Sequence, residues 1–313
     1  MSTRLARSIA AMGCALAVAA VTACGKPDEP PGQTETKPIT VVASTNVWSS
    51  VAAAVGGPEV TVSALLANPG GDPHSYQVSA KDAAALRGAG LVVYNGGGYD
   101  DWVEEALGEG GPARVKAVDL RPDEPHGIAR QEDEHGHAGG ENEHVWYDLP
   151  TVAQVAGEIA AQLSQLRPEA KATFLANADA FDVKLDELEA KVSDLGIAHG
   201  GKSVVATEPV AHYVLEAAKL TDVTPEAFVD AIEEETDPPA AAVAEIQQVV
   251  SGRQVALLVH NPQTETPMVV DLVERARAAG VPVVEMTETL PDGQDYLTWM
   301  GNQIAALSAA LSR

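Results

Sequence analysis

Between Pro168 and Leu195 the chain carries no internal proline or glycine, and Phe174, Ala178, Phe181, Leu185, Leu188, Val192 and Leu195 recur at steps of four and three. Those steps place all seven on one face of a helix. At 1.5 Å per residue such a helix is roughly 40 Å long, about the length of a whole lobe. On either side the sequence changes character. Ile39–Ala43, Val60–Leu66, Leu91–Tyr94 and Val115–Val118 before it, and Ser203–Ala206, Gln254–Val259 and Val281–Glu285 after it, read as strands. Ala-rich segments of helical period lie between most of them, among them Val47–Val55, Ala80–Arg87 and Val269–Ala279. Strand–helix alternation predicts α/β lobes with mainly parallel sheets flanked by helices. One isolated apolar stripe between two such halves fits a rigid spine better than a coiled-coil arm. The expected organisation is a lobe over 39–167, a linking helix over 168–199 and a second lobe over 200–313.

The N-terminus indicates a compartment. Arg4 and Arg7 precede the apolar run Ile9–Val21, which is too short to span a bilayer. Basic residues, a short apolar core and small residues together read as a secretory signal over 1–23. The run ends in Val21-Thr22-Ala23-Cys24, which resembles the lipobox of bacterial lipoproteins, where the signal is cut before the cysteine and its sulfur is acylated. Residues 24–38, rich in Pro, Gly and polar groups, then read as a tether without a core of its own. The expected location is extracytoplasmic, anchored to the cell membrane through Cys24. Only Cys14 and Cys24 are present, so the body after the tether has no thiol for a disulfide, a Cys metal site or a Cys nucleophile.

Composition narrows the partners. Twenty Lys and Arg stand against 45 Asp and Glu, a formal net charge of −25. Phosphate binding needs clustered cations, so nucleic acid is not an expected partner. An acidic surface attracts cations, weakly and without selectivity.

Eight histidines occur, at 74, 126, 135, 137, 144, 199, 212 and 260. Four fall within the glycine-rich acidic loop 126–144, where His126, His135 and His137 are candidate auxiliary ligands of a metal-collecting loop. A merely solvated acidic loop is the alternative. His74 lies in Gly71-Asp72-Pro73-His74-Ser75-Tyr76, after a predicted strand, where α/β folds place their ligands. His144 opens His144-Val145-Trp146-Tyr147-Asp148-Leu149-Pro150, ahead of a helix.

With these words, and with Asn95-Gly96-Gly97-Gly98-Tyr99-Asp100-Asp101-Trp102, the chain resembles the solute-binding proteins of zinc and manganese ABC importers, the cluster A-I family. The family's Asp-Pro-His word is matched at His74. Its His-x-Trp-x-Asp-Pro word is matched less closely at His144, because Leu149 intervenes before Pro150. The resemblance covers essentially the whole mature chain. It implies a metal site in the cleft between lobes, two ligands from each lobe, and delivery of the ion to a membrane permease. On that basis His74 and His144 are the ligands of the first lobe. Aligning Tyr213 with the family's aromatic puts Glu208 at the third position, and Glu288 stands where the family usually has Asp. Both departures keep oxygen ligation and leave the metal open. Zn²⁺ is favoured by the affinity order and the His-rich loop, and two carboxylates suit Mn²⁺. His212, four residues after Glu208, could replace or supplement it if the segment is helical. His260 is expected to hydrogen-bond in the cleft wall, and His199 to lie in a loop.

Four donors fill the tetrahedral shell that Zn²⁺ prefers, whereas hydrolytic zinc sites keep one position open for water. No His-Glu-x-x-His, Gly-x-Ser-x-Gly or phosphate-loop motif occurs, so no catalytic residue is assigned. The rival readings are an anchored metallohydrolase with Glu208 as base, and a surface adhesin whose metal stabilises the lobes. The expected partners are a permease, a divalent ion and the membrane, with the protein itself a monomer.

Overall fold

The computed structural model describes residues 37–68, 76–122, 142–233 and 236–313. The signal, Cys24 and nearly all of the tether lie outside the described residues, as do His74, His126, His135 and His137.

The first sheet contains β1 (Ile39–Thr45), β2 (Val60–Leu66), β3 (Leu91–Tyr94) and β4 (Ala113–Lys116), in the order β2-β1-β3-β4, with every pairing parallel. Parallel strands covered on both faces are apolar throughout, as Val41, Val42 and Ala43 of β1 are. Period two divides them between two cores. Val41, Ala43, Leu91 and Val93 pack with α1 (Asn46–Gly56) and α4 (Leu149–Leu166), whereas Val42, Val92 and Tyr94 pack with α2 (Ala80–Gly88) and α3 (Trp102–Leu107). A capping box starts α2. Ser79 Oγ accepts from Asp82 N at 3.2 Å, and the Asp82 carboxylate accepts from Ser79 N at 3.0 Å.

The second sheet repeats the plan with β5 (Ser203–Ala206), β6 (Thr221–Asp222), β7 (Leu258–His260) and β8 (Val283–Glu285), in the order β6-β5-β7-β8, all parallel. Val205 and Leu258 pack against α8 (Ala240–Ser251) and α9 (Pro267–Ala279), on the side of α7 (Glu226–Glu233). Val204, Ala206 and Val259 face a core shared with α5 (Lys171–His199), α6 (His212–Ala217) and α10 (Tyr296–Leu311).

The spine is α5, whose 29 residues span about 44 Å. All seven residues of the predicted stripe are buried along it. Its core continues without a break from Val41 of the first sheet to Leu311 at the end of α10. Among the described residues no helix is long and apolar enough to cross a membrane.

Several expected boundaries move. Pro168–Ala170 form a 3-10 turn before α5, and the helix runs on through Gly196 to His199, which is therefore helical and not a loop residue. Gly196 lies inside the helix, where a Cβ would crowd the Ala218 carbonyl oxygen at 3.2 Å. β4 starts at Ala113, and Val118 opens a 3-10 turn instead of ending the strand. β7 and β8 start later than predicted, at Leu258 and Val283. The two exposed residues of β6 lack the apolar run that marks a strand in sequence.

In an open parallel sheet, ligands bind beyond the carboxyl ends of the strands where strand order reverses. Here the reversals fall between β1 and β3 and between β5 and β7. Contacts that cross the cleft join these two edges. Asn46, just past β1, and Leu290, past β8, exchange side-chain and backbone hydrogen bonds at 2.9 Å each. Tyr296 N donates to Ser50 Oγ at 2.9 Å, and its hydroxyl donates to Trp146 O at 2.7 Å.

Candidate metal-ion site

One wall comes from the loop after β3. Gly96, Gly97 and Gly98 have φ of +77°, +71° and +97°, a positive-φ run that strongly favours glycine. Asp100 ties the loop by accepting from Asn95 N at 2.8 Å and Gly96 N at 2.6 Å. Burial pushes the Asp100 carboxyl up, to about 6, against the pull of those N–H groups. The loop delivers buried Tyr99, whose hydroxyl donates to Glu288 Oε2 at 3.1 Å. It also holds the next segment, since Asn95 Nδ2 donates to Glu143 O at 2.8 Å.

His144 is 2% exposed. Asn142 Oδ1 accepts the His144 backbone N–H at 2.9 Å, which identifies that atom as the amide oxygen. The same oxygen lies 3.0 Å from His144 Nδ1, so Nδ1 carries a proton and the neutral ring keeps its lone pair on Nε2. Asn142 Nδ2 in turn donates to Pro209 O at 3.0 Å, bridging to the second lobe. A ligating histidine is oriented by just such a partner on its other nitrogen.

The opposite wall follows β5, β7 and β8. Glu208 precedes Pro209, and a residue before proline is driven out of the helical region. Its backbone is accordingly extended, with φ −161° and ψ 150°. Asn261, immediately past β7, is fully buried. Its Oδ1 accepts from Gln263 N at 3.0 Å, leaving Nδ2 to donate to Glu208 Oε2 at 2.8 Å and to Glu288 Oε1 at 2.8 Å. The Thr264 hydroxyl also donates to Glu208 Oε2. Glu288 N donates to Gln263 Oε1 at 2.6 Å.

These walls bring His144 Nε2 to 3.4 Å from Glu208 Oε1. Nε2 is buried and makes no hydrogen bond. Burial pushes the imidazole pKa down, but the facing Glu208 carboxylate, with the charges of Glu288 and Glu143, carries it above the usual value. Burial pushes the Glu208 carboxyl up, but His144, Thr264 and Asn261 bring it down to about 2. A lone pair and a carboxylate oxygen that face each other while both are buried call for a cation, either a proton or a metal ion.

His144, Glu208 and Glu288 are thus brought together, the first from one lobe and the other two from the second. Glu208 and Glu288 meet through the Asn261 amide. Among the described residues no three His, Cys, Asp or Glu side chains already stand as a metal-binding group. His212 is not brought in. Pro209 breaks the shared helical face, and the imidazole lies at the surface 3.8 Å from Glu216. His260, the last residue of β7, has its Nε2 3.0 Å from Oε1 of Glu265 in the loop beyond the strand. Asn142, Tyr99, Asn261 and Thr264 were not anticipated as site residues. Asn261-Pro262-Gln263-Thr264 directly after a β run was the one available signal for two of them.

Two parallel α/β lobes, facing each other across the carboxyl ends of their strands and braced by one long helix, define a two-lobed binding-protein fold with its ligand position in the cleft. Residues 41–310 match the family described as ZnuA, zinc-uptake complex component A periplasmic, and the chain belongs to that family. It is 24% identical over 261 residues to the zinc-binding lipoprotein AdcA of Streptococcus pneumoniae, covering 78% of this chain and 50% of that protein. It is 29% identical over 180 residues to the manganese-binding lipoprotein MntA of Bacillus subtilis, covering 58% of this chain and 56% of that one. The chain therefore spans about half the length of these two curated relatives. Among solved structures, the periplasmic zinc-binding protein TroA of Treponema pallidum superposes with a TM-score of 0.71 at 20% identity, over 88% of this chain and all of the other. At that identity the likeness establishes the fold.

Proposed function

We propose that the protein captures one divalent metal ion, Zn²⁺ in preference to Mn²⁺, and passes it to the membrane permease of an ABC importer. The observation that carries this reading is the buried, hydrogen-bond-free His144 Nε2 facing Glu208 Oε1 at 3.4 Å. In this reading His74 and Glu288 complete the ligand set. The ion is cargo, held by donors from both lobes, so separating the lobes removes ligands and releases it. The kinship with zinc- and manganese-binding lipoproteins supports the same reading. The protein is monomeric, with signal 1–23 removed, Cys24 acylated, tether 24–38 holding the body near the membrane, lobes over 39–167 and 200–313, and linker 168–199.

Manganese uptake is the second reading, favoured by the two carboxylates. A hydrolase is disfavoured by the surroundings of Glu208. One of its oxygens is bonded to Asn261 and Thr264 and the other faces His144, so the carboxylate is not disposed to activate water.

Competitive titration with Zn²⁺ and Mn²⁺ near neutral pH tests the proposal. One tight equivalent of Zn²⁺ that Mn²⁺ does not displace, weakened in His144→Ala and Glu208→Ala, is expected. Mn²⁺ retained under competition moves the protein to manganese uptake. Tight binding of neither ion overturns the ligand assignment, and turnover of ester or phosphate substrates would favour the hydrolase.

A further inference from the structure

We infer that a cavity at the amino end of the second sheet binds a small organic anion, one with an oxyanion head on an apolar body. It lies at the opposite end of the strands from the proposed metal site and does not depend on it. Residues 200–313 hold six Lys and Arg against 17 Asp and Glu, so cations are scarce there. Four of the six nevertheless line this one cavity of about 550 Å³: Lys202 just before β5, Arg253 ahead of β7, Arg277 on α9, and Arg313. No acidic side chain is among its lining residues. Val255 and Leu311, both buried, give it an apolar wall. Sites for small molecules enclose roughly 300–1,000 Å³ and combine apolar walls with a few convergent polar groups. The size therefore suits a small molecule and not a macromolecular face.

The cations are held in place. Lys202 Nζ donates to Leu311 O at 2.9 Å, at the end of α10, which uses one of its three hydrogens and leaves two. A Cβ on Gly280 would stand 3.3 Å from Arg253 Nη2, so the glycine keeps room for the guanidinium. Arg277 has a neighbour in Glu285 at 3.8 Å, but both are largely exposed, and such a pair is too weak to withhold the cation from an anion. Backbone strain marks the same face. Among the described residues only Lys219 and Arg253 take a positive φ without being glycine, +54° each. Lys219 O accepts from Gly201 N at 2.7 Å, beside Lys202. Glycine would hold both turns without strain, and strain kept at two cations points to a use for their charge. The rival role is structural, since Lys202 and Arg253 stand at the carboxyl ends of α10 and α9, where cations complement the helix dipole.

The test titrates metal-free full-length protein calorimetrically with phenyl phosphate and benzoate, which join the two common oxyanion heads to one apolar ring, and with inorganic phosphate. One saturable equivalent of a ring compound is expected. Inorganic phosphate should bind on the order of tenfold more weakly, because it leaves the apolar wall uncovered. Arg277→Gln should weaken the ring compound roughly tenfold, the size of one charge-assisted hydrogen bond. Arg253→Gly should weaken it similarly while raising the melting temperature, because glycine relieves the +54° backbone. A lower melting temperature with binding intact would make Arg253 a helix cap and overturn the inference. Binding that is absent, or equal in wild type and both variants, would also overturn it, as would capture of phosphatidylglycerol vesicles without binding of either ring compound. Zn²⁺ affinity should be unchanged in both variants, which keeps failure here separate from failure of the metal reading.

Discussion

His144 Nε2 and Glu208 Oε1 stand 3.4 Å apart at the junction of the lobes, one beyond the loop that Asn142 orients, the other held extended by Pro209. Each is buried, and each needs a positive charge between them. In the proposed reading a proton meets that need in metal-free protein and the bound ion replaces it.

Removing one member of this pair leaves the other uncompensated. His144→Ala should destabilise the metal-free protein by about 3 kcal/mol, the lower end of the range for breaking a buried pair, because Asn261 and Thr264 still bond Glu208. Chemical denaturation measures this. The same variant should lose more Zn²⁺ affinity than the roughly 10–100-fold typical of outer-shell changes.

Stability and binding should respond to pH in opposite senses. The His144 pKa is raised above 6.5, so its contribution is full below 6.5 and is lost as pH rises through the raised value. The Glu208 pKa is lowered from 4.5 to about 2, so its contribution is full above 4.5 and is lost as pH falls toward 2. Metal-free protein should therefore gain most from the pair between 4.5 and 6.5. Metal affinity should instead climb as pH rises through the His144 value, since the ion displaces its proton. Denaturation midpoints and titrations that rose together above that window would contradict the assignment.

Tyr99→Phe removes the hydroxyl that reaches across the cleft to Glu288 Oε2 at 3.1 Å. A hydrogen bond to a charged group contributes about 1.5 kcal/mol at the low end, roughly tenfold in affinity. Because the bond joins the two lobes, the loss should appear as faster ion release in stopped-flow chelation, with the association rate little changed.

Trp146 is 1% exposed and its ring centroid lies 5.2 Å from that of His144, edge-on. Its emission should change with the first equivalent of metal and stay flat thereafter. Trp146→Phe should remove most of that signal, whereas a uniform change shared by the other tryptophans would point to a global transition.

Gly96→Ala drives a methyl into the side chains of Lys116 and Val118 at φ +77°. Strain in the left-handed region costs about 1–2 kcal/mol before any clash. Because Asn95 holds the Glu143 carbonyl at 2.8 Å, the variant should weaken metal binding as well as lower the melting temperature.

Period and composition alone carried much of the architecture. The stripe from Phe174 to Leu195 is the buried face of α5, because helical geometry maps spacing directly onto position. Strand–helix alternation likewise led to two parallel sheets. Family words single out His74, His144, Glu208 and Glu288, of which the last three stand among the described residues at the cleft. What the chain order could not express is which polar side chains meet across 50 or more positions. Asn261 reaches Glu208 over a separation of 53 and Tyr99 reaches Glu288 over 189, contacts that exist only once both sheets have packed on one spine. His212 shows the limit from the other side. Four residues from Glu208, it shares a helical face on paper, yet Pro209 sets the intervening backbone and tertiary packing sends the ring to the surface. Local periodicity is fixed by covalent geometry and is legible in a line of letters, whereas a site is a convergence of distant donors that folding alone assembles.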